Sequence, residues 1–275
     1  MKLRFSKMHG IGNDFVIVDC RGHPLGLDAK QIARLGDRHV GVGFDQLLTI
    51  EPARDPGCSF RYGIYNSDGS LARQCGNGVR CVAAWLRREG ALGTGAARLE
   101  SPSGAIAVEI LGDGRVRADM GVPTFAAQDI PLRMAESDLY WLQIDDTDVE
   151  FGAVSMGNPH ALIEVPDVTA APVTTLGPRL SADAAFPQGC NVGFAQVLDR
   201  ARLRLRVWER GAGATLACGS GACAAVAILN RRGKLGADVA VELPGGTLDI
   251  HWQGAGSPVW MTGPAQFVFE GECEA

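Results

Sequence analysis

Three glycine-centred motifs occur twice along this 275-residue chain, in the same order. Gly12-Asn13-Asp14-Phe15-Val16-Ile17-Val18-Asp19 returns as Gly157-Asn158-Pro159-His160-Ala161-Leu162-Ile163-Glu164. Val42-Gly43-Phe44-Asp45-Gln46-Leu47-Leu48 returns as Val192-Gly193-Phe194-Ala195-Gln196-Val197-Leu198, and Cys75-Gly76-Asn77-Gly78 as Cys218-Gly219-Ser220-Gly221. The offsets, 157 − 12 = 145, 192 − 42 = 150 and 218 − 75 = 143, are nearly constant. Two copies of one domain separated by small insertions produce that pattern, and the chain is long enough for two cores. A boundary is expected near Gly121-Val122-Pro123. It gives an N-terminal repeat over 1–120, to which 264–275 returns, and a C-terminal repeat over 121–263.

Each Cys-Gly motif leads into the strongest helical pattern of its half. Val79, Val82, Ala83 and Leu86 recur at helical spacing, and Arg87-Arg88-Glu89-Gly90 supplies cations and a glycine for the helix end. The second helix, from Ala222 to Leu229, is apolar all round, so it must be buried. Strand patterns surround both. Arg98 to Ile110 and Arg115 to Met120 join through Gly112-Asp113-Gly114, and Val239–Leu243 joins Thr247–Trp252 through Pro244-Gly245-Gly246. The expected fold is α/β with α+β character: two pseudo-symmetric domains, each a mixed, mostly antiparallel sheet wrapped around a central helix.

A net charge of −5 argues against nucleic-acid or anionic-membrane partners, which need a basic face. The arginines of 200–206 alternate with Ala and Leu, as on the solvent face of a strand. No secretion signal or run of about 18 apolar residues is present, so a soluble, cytoplasmic protein is expected. Its eight cysteines should then be reduced thiols. None forms a CxxC pair, so no metal is expected. No phosphate-binding fingerprint points to a nucleotide or other cofactor.

A cysteine at the start of a helix sits in a positive field that favours thiolate over thiol. The glycines beside it let backbone N–H groups approach an anion such as a carboxylate. Two such half-sites, with Cys75 and Cys218 on either side of one carbon, can remove a proton from one face and return one to the other, which is stereoinversion. The other cysteines (20, 58, 81, 190, 223 and 273) read as small buried hydrophobes. Asn13, Asn66, Asn158 and Asn191 stand beside apolar runs. From the residues alone they read first as turn residues. Glu209-Arg210, before Gly211-Ala212-Gly213, is either a solvated charged loop or a buried pair that meets the ammonium and carboxylate of an amino acid.

Taken together, these motifs resemble the diaminopimelate epimerase family. The resemblance is carried by Met8-His9-Gly10-Ile11-Gly12-Asn13-Asp14-Phe15, Gly41-Val42-Gly43-Phe44-Asp45-Gln46 and Asn66-Ser67-Asp68-Gly69-Ser70. It continues in Gln74-Cys75-Gly76-Asn77-Gly78-Val79-Arg80-Cys81, Ser155-Met156-Gly157-Asn158-Pro159-His160, Glu209-Arg210-Gly211-Ala212-Gly213 and Ala217-Cys218-Gly219-Ser220-Gly221-Ala222-Cys223. It implies interconversion of LL- and meso-diaminopimelate without a cofactor, in the biosynthesis of lysine and of peptidoglycan precursors. By the same resemblance Cys75 and Cys218 are the acid–base pair, and His160 and Glu209 tune the thiols. Asn13, Gln46, Asn66, Asn158, Asn191, Glu209 and Arg210 bind substrate, with backbone contacts from Gly76, Asn77, Gly219 and Ser220. It also implies a homodimer with Phe269 at the contact. Two alternatives stand beside it. One is a proline or hydroxyproline racemase-like enzyme of the same fold; the other is a non-catalytic amino-acid-binding or redox-sensing protein.

Overall fold

A computed structural model describes residues 2–72 and 75–274. The chain divides into two compact units, Met1–Ala118 with Thr262–Ala275, and Asp119–Met261.

In the first unit, β1 (Lys2–Gly10), β2 (Asn13–Asp19), α1 (Ala29–Gly36), β3 (Gln46–Pro52) and β4 (Phe60–Asn66) precede the central helix α2 (Gly76–Arg88). β5 (Gly95–Ser101), β6 (Gly104–Ile110) and β7 (Val116–Asp119) follow it. From β1 to β6 the pairings run antiparallel, parallel, antiparallel, parallel, antiparallel. α2 touches β1, β2, β3 and β6, strands far apart in that order, so the sheet curls around it. A bond from Trp85 Nε1 to Ser6 Oγ at 3.0 Å ties helix to sheet.

The second unit comprises β8 (Tyr140–Ile144), β9 (Thr147–Ser155), β10 (Pro159–Glu164), α3 (Val173–Ser181), β11 (Asn191–Asp199), β12 (Arg202–Glu209) and β13 (Gly213–Thr215). It continues with the central helix α4 (Gly219–Arg231), β14 (Asp238–Leu243), β15 (Gly246–His251) and β16 (Trp260–Gly263). From β9 through β10, β11, β12 and β14 to β15 the pairings repeat the same alternation. α4 packs on β9, β10, β11, β12 and β15. Val226, Ile228 and Leu229 on it are at most 2% exposed, each burial contributing about 1.5–3 kcal/mol before entropy is counted. This is the pseudo-symmetric architecture expected from the repeats.

The strand registers correct one of the three sequence matches. Phe15 pairs with Gln46 across β2 and β3, and His160 with Asn191 across β10 and β11. The counterpart of Gln46 is therefore Asn191, at the same 145-residue offset as the first motif (191 − 46). Val42–Asp45 precede β3, whereas Val192–Ala195 lie inside β11. Their similarity at an offset of 150 is a coincidence of glycine beside apolar residues.

The C-terminal strand β17 (Gln266–Glu274) pairs antiparallel with β1 in the first unit. Val268 and Phe269 on it are half-exposed, at 55% and 48%, and Phe269 meets Phe5 edge-on at 5.9 Å. Cys273 also lies on this strand and is half-buried, so it departs from the buried reading that holds for the other five non-motif thiols. Among the described residues no disulfide joins any of the cysteines. Among the described residues no helix is long and apolar enough to cross a membrane.

Candidate active site

In the first unit, Cys75 is the N-cap of α2, with extended backbone (φ −151°, ψ 107°). The Gly78 N–H donates to its Sγ at 3.3 Å, and a Cβ on Gly78 would press on that same cysteine at 3.3 Å. Asn13 and Gln46 open β2 and β3, and Asn66 closes β4 in register with Gln46, so one end of these neighbouring strands carries all three amides. Asn13 Oδ1 accepts from Cys75 Sγ at 3.8 Å and from Asn77 Nδ2 at 3.1 Å. Gln46 Nε2 donates to Asn66 Oδ1 at 3.0 Å, and Asn66 Nδ2 donates to Ser70 Oγ at 3.0 Å. Gln46 Oε1 is buried and meets no donor among the described residues, which makes it an acceptor held in readiness. Gly76 begins the helix itself. Gln74, which opens this motif, lies outside the described residues.

The second unit repeats the arrangement with different side chains. Cys218 is the N-cap of α4 (φ −124°, ψ 101°), with Ser220 Oγ 3.8 Å from its Sγ and Gly219 as the first helical residue. Its third-residue glycine, Gly221, is equally constrained, since a Cβ there would come within 3.1 Å of the Cys218 sulfur. Glu209, at the end of β12, accepts a hydrogen bond from the Cys218 thiol and another from Thr215 Oγ1 at 2.5 Å. Asn158 Nδ2 donates to Ser220 Oγ at 3.5 Å, and His160 Nε2 stands 3.0 Å from Asn158 Oδ1. Asn191 spends its side chain on backbone: Nδ2 donates to Pro159 O at 3.3 Å and Oδ1 accepts from Arg210 N at 3.0 Å. Arg210 is exposed, and its Nη1 donates to Gln188 O at 2.6 Å. Glu209 is half-buried, so these two residues do not form the buried pair that was one of the two sequence readings.

The electrostatics overturn one expectation. A helix start was expected to favour thiolate, yet the Cys218 thiol is pushed well above the ordinary cysteine value. Burial is the main cause and the Glu209 carboxylate the second, and together they outweigh the Gly221 N–H and the Ser220 hydroxyl. Cys218 therefore stands as a thiol. His160 is driven the other way. Burial, with a smaller push from Arg210, lowers its pKa to about 3, so the ring is neutral. Since Asn158 Oδ1 only accepts, the His160 proton sits on Nε2. His160 reaches Cys218 through Asn158 and Ser220.

The His160 proton has a checkable consequence. From the ordinary His value of 6.5 down to about 3, the unfolded chain binds a proton that the folded chain refuses. The stability this group contributes is complete above that window and is lost as the pH falls through it. In imidazole NMR spectra His160 should show no titration between about pH 5 and pH 8. A midpoint near its ordinary value would contradict the buried neutral ring.

Several neighbours of the thiols went unnoticed in the sequence. Asp45 and Asp14, with Arg38 and Lys7, form a charged cluster behind Asn13. Burial works against the Asp14 charge, but hydrogen bonds from Arg38 and Lys7 prevail and hold its carboxyl down at about 2. Thr215 behind Glu209 is the other omission. Both aspartates stood inside quoted motifs, and a charged residue next to a motif amide was the available signal.

The family model for diaminopimelate epimerase matches residues 5–126 and 152–268. The diaminopimelate epimerase of Chromobacterium violaceum is 53% identical over 275 residues, covering all of both chains. That of Xanthomonas axonopodis pv. citri is 55% identical over 273 residues, covering 98% of this chain and 96% of the relative. Among solved structures, a probable proline racemase from Agrobacterium radiobacter K84 superposes with a TM-score of 0.71 at 16% identity, covering 99% of this chain and 93% of that one. A likeness at that identity speaks to fold alone.

Proposed function

From the premise that the chain belongs to the diaminopimelate epimerase family, we infer that it is a cofactor-independent isomerase that interconverts LL- and meso-diaminopimelate in lysine biosynthesis. The observation that carries this reading is one half-site built twice, a cysteine capping a central helix in each unit. The two thiols work as one acid and one base on opposite faces of the α-carbon. Because inversion runs both ways, each sulfur is the acid in one direction and the base in the other. Cys218, held as a thiol beside Glu209, is poised as the donor for one of them. When it gives up its proton, Ser220 and the first N–H groups of α4 steady the sulfur. The α-carboxylate is received by the N–H groups at the two helix starts, which also stabilise the charge that grows there as the Cα–H bond breaks.

The remaining polar set reads the rest of the substrate. Gln46 Oε1 suits an ammonium, and Arg210 suits a carboxylate by fork-to-fork pairing. Asn13, Asn66, Asn158, Asn191 and Glu209 complete the binding set, with backbone contacts at Gly76, Asn77, Gly219 and Ser220. His160 and Glu209 set the protonation of the Cys218 side. The half-exposed Val268 and Phe269 on β17 form the contact of a homodimer. A free, multiply charged amino acid does not cross membranes unaided, so an enzyme of its biosynthesis belongs in the cytoplasm with it.

The 16% likeness to a probable proline racemase adds nothing specific for a ring-shaped substrate. The reading is tested by incubating the purified protein, dialysed against chelator, with LL-diaminopimelate and following the meso isomer by chiral chromatography. Meso product should form without any addition. A requirement for pyridoxal phosphate, or no product with active-site thiols intact, would contradict it.

A further inference from the structure

We propose that Asp45 is a positioning residue of the Cys75 half-site, deciding through a hydrogen bond which end of the Asn13 amide faces the Cys75 thiol. The inference deepens the epimerase reading and rests on it for its kinetic consequence. An asparagine amide has a donor end and an acceptor end of almost the same shape, so its partners determine its orientation. An ionised carboxylate can only accept. Asp45 Oδ2 lies 2.8 Å from Asn13 Nδ2, which commits the NH₂ end to Asp45 and leaves Oδ1 toward Cys75 Sγ and Asn77 Nδ2. The reversed amide would set its NH₂ against the Asn77 NH₂ and its oxygen against a carboxylate.

Asp45 is itself fixed. Its Oδ2 also accepts the Asp14 N–H at 3.1 Å, and its own N–H returns to Asp14 Oδ1 at 3.0 Å. Arg38 Nη2 bridges Asp45 Oδ1 at 2.8 Å and Asp14 Oδ1 at 2.7 Å, and Lys7 Nζ holds Asp14 Oδ2 at 2.6 Å. The loop before β3 is thereby clamped to the start of β2. Asp14 and Lys7 are the more buried members, at 17% and 10% side-chain exposure, while Asp45 is 44% exposed. The clamp therefore belongs to Asp14 and its cations, and Asp45 carries the orientation to Asn13.

The chemistry follows from the end presented. An amide oxygen accepts from the thiol and repels a thiolate, whereas an amide NH₂ would do the reverse. Without the Asp45 carboxylate, only the bond from Asn77 Nδ2 still holds the Asn13 oxygen in place, so the amide turns its NH₂ to the sulfur more readily and the thiolate gains a donor. In the ligand-free protein that makes Cys75 more nucleophilic. During turnover it loses an acceptor poised for the Cys75 proton.

The test uses iodoacetamide on the full-length, substrate-free protein, with modification of each cysteine followed by mass spectrometry. Asp45→Ala should raise the Cys75 rate at least threefold and leave Cys218 and buried Cys81 unchanged. Asp45→Asn, whose carbonyl still accepts from Asn13, should stay within twofold of the unaltered protein. In steady state Asp45→Ala should lower kcat/KM about tenfold, the low end for losing a hydrogen bond to a half-exposed charge. Asn13→Ala/Asp45→Ala should be no worse than Asn13→Ala alone, because Asp45 acts through Asn13. An unchanged Cys75 rate in Asp45→Ala would overturn the proposal, as would a parallel rise at Cys81, which marks loosened packing, or additive losses in the double variant. The labelling needs no diaminopimelate, so failure of the substrate assignment and failure of this orientation role are separately visible.

Discussion

Lysine and α-aminopimelate, each lacking one distal group of diaminopimelate, are expected to react with kcat/KM about 10⁴–10⁵ below that of diaminopimelate. One amino-acid head group needs a carboxylate receptor, an ammonium acceptor and the two thiols. The half-sites hold more than that: Gln46 and Asn66 in the first unit, and Asn158, Glu209 and Arg210 in the second. Gln46 Oε1 is already buried and meets no donor among the described residues, so a ligand that brings none leaves its desolvation uncompensated. Loss of a methylene would cost only about 10–200-fold, so the size of the effect separates polar recognition from simple fit. Arg210→Lys should be damaging as well, since an ammonium cannot reproduce a planar two-point pairing with carboxylate. The check is kcat/KM for diaminopimelate, lysine, α-aminopimelate and proline on one preparation. Lysine within tenfold of diaminopimelate would refute distal recognition, and a preference for proline would point to a racemase.

Cys75→Ala and Cys218→Ala should each reduce inversion by at least the 10²–10⁴-fold typical of a lost acid or base. Each cysteine caps a central helix, and each has its own acceptor, the Asn13 amide for Cys75 and the Glu209 carboxylate for Cys218. The controls lie in the same helices. Cys81 and Cys223 are fully buried within α2 and α4. Burial pushes the Cys81 thiol up to about 12. Replacing either by Ala should cost about 1 kcal/mol of packing and leave turnover intact. Steady-state kinetics and thermal unfolding on the four variants decide the matter. A loss at Cys81 as large as at Cys75 would mean that the wrong thiol has been assigned.

Local pattern made the central helices and their capping cysteines legible, because Cys-Gly-x-Gly followed by helical periodicity is contained within one turn and its approach. The repeated topology was legible for the same reason at Asn13 and Asn158, and misleading at Gly43 and Gly193, where similar letters occupy a loop in one unit and a strand in the other. α1 carried a readable signal in its Asp28–Gln31 capping box, with Gln31 N–H donating to Asp28 Oδ1 at 2.9 Å, and was nevertheless passed over. α3 offered little, since no side chain caps its start and Pro178 lies within it. The thiol chemistry was legible in position and misjudged in sign at Cys218. A helix start is visible in sequence, but the burial of Cys218 and the approach of Glu209 are products of tertiary packing. The Asp45–Asn13 contact, 32 residues apart, was hidden for the same reason.

Handling of separate protons by two thiols, one from each unit, is the mechanism proposed. It is tested most directly by turning over LL-diaminopimelate in deuterium oxide to low conversion and reading the α-position of both isomers by NMR and mass spectrometry. Deuterium is expected at the α-carbon inverted in nearly every meso molecule formed, while the remaining LL substrate keeps its protium, because the proton removed and the proton delivered belong to different sulfurs. Meso product that retains the substrate's own α-hydrogen would show a single base carrying one proton across, and would contradict it.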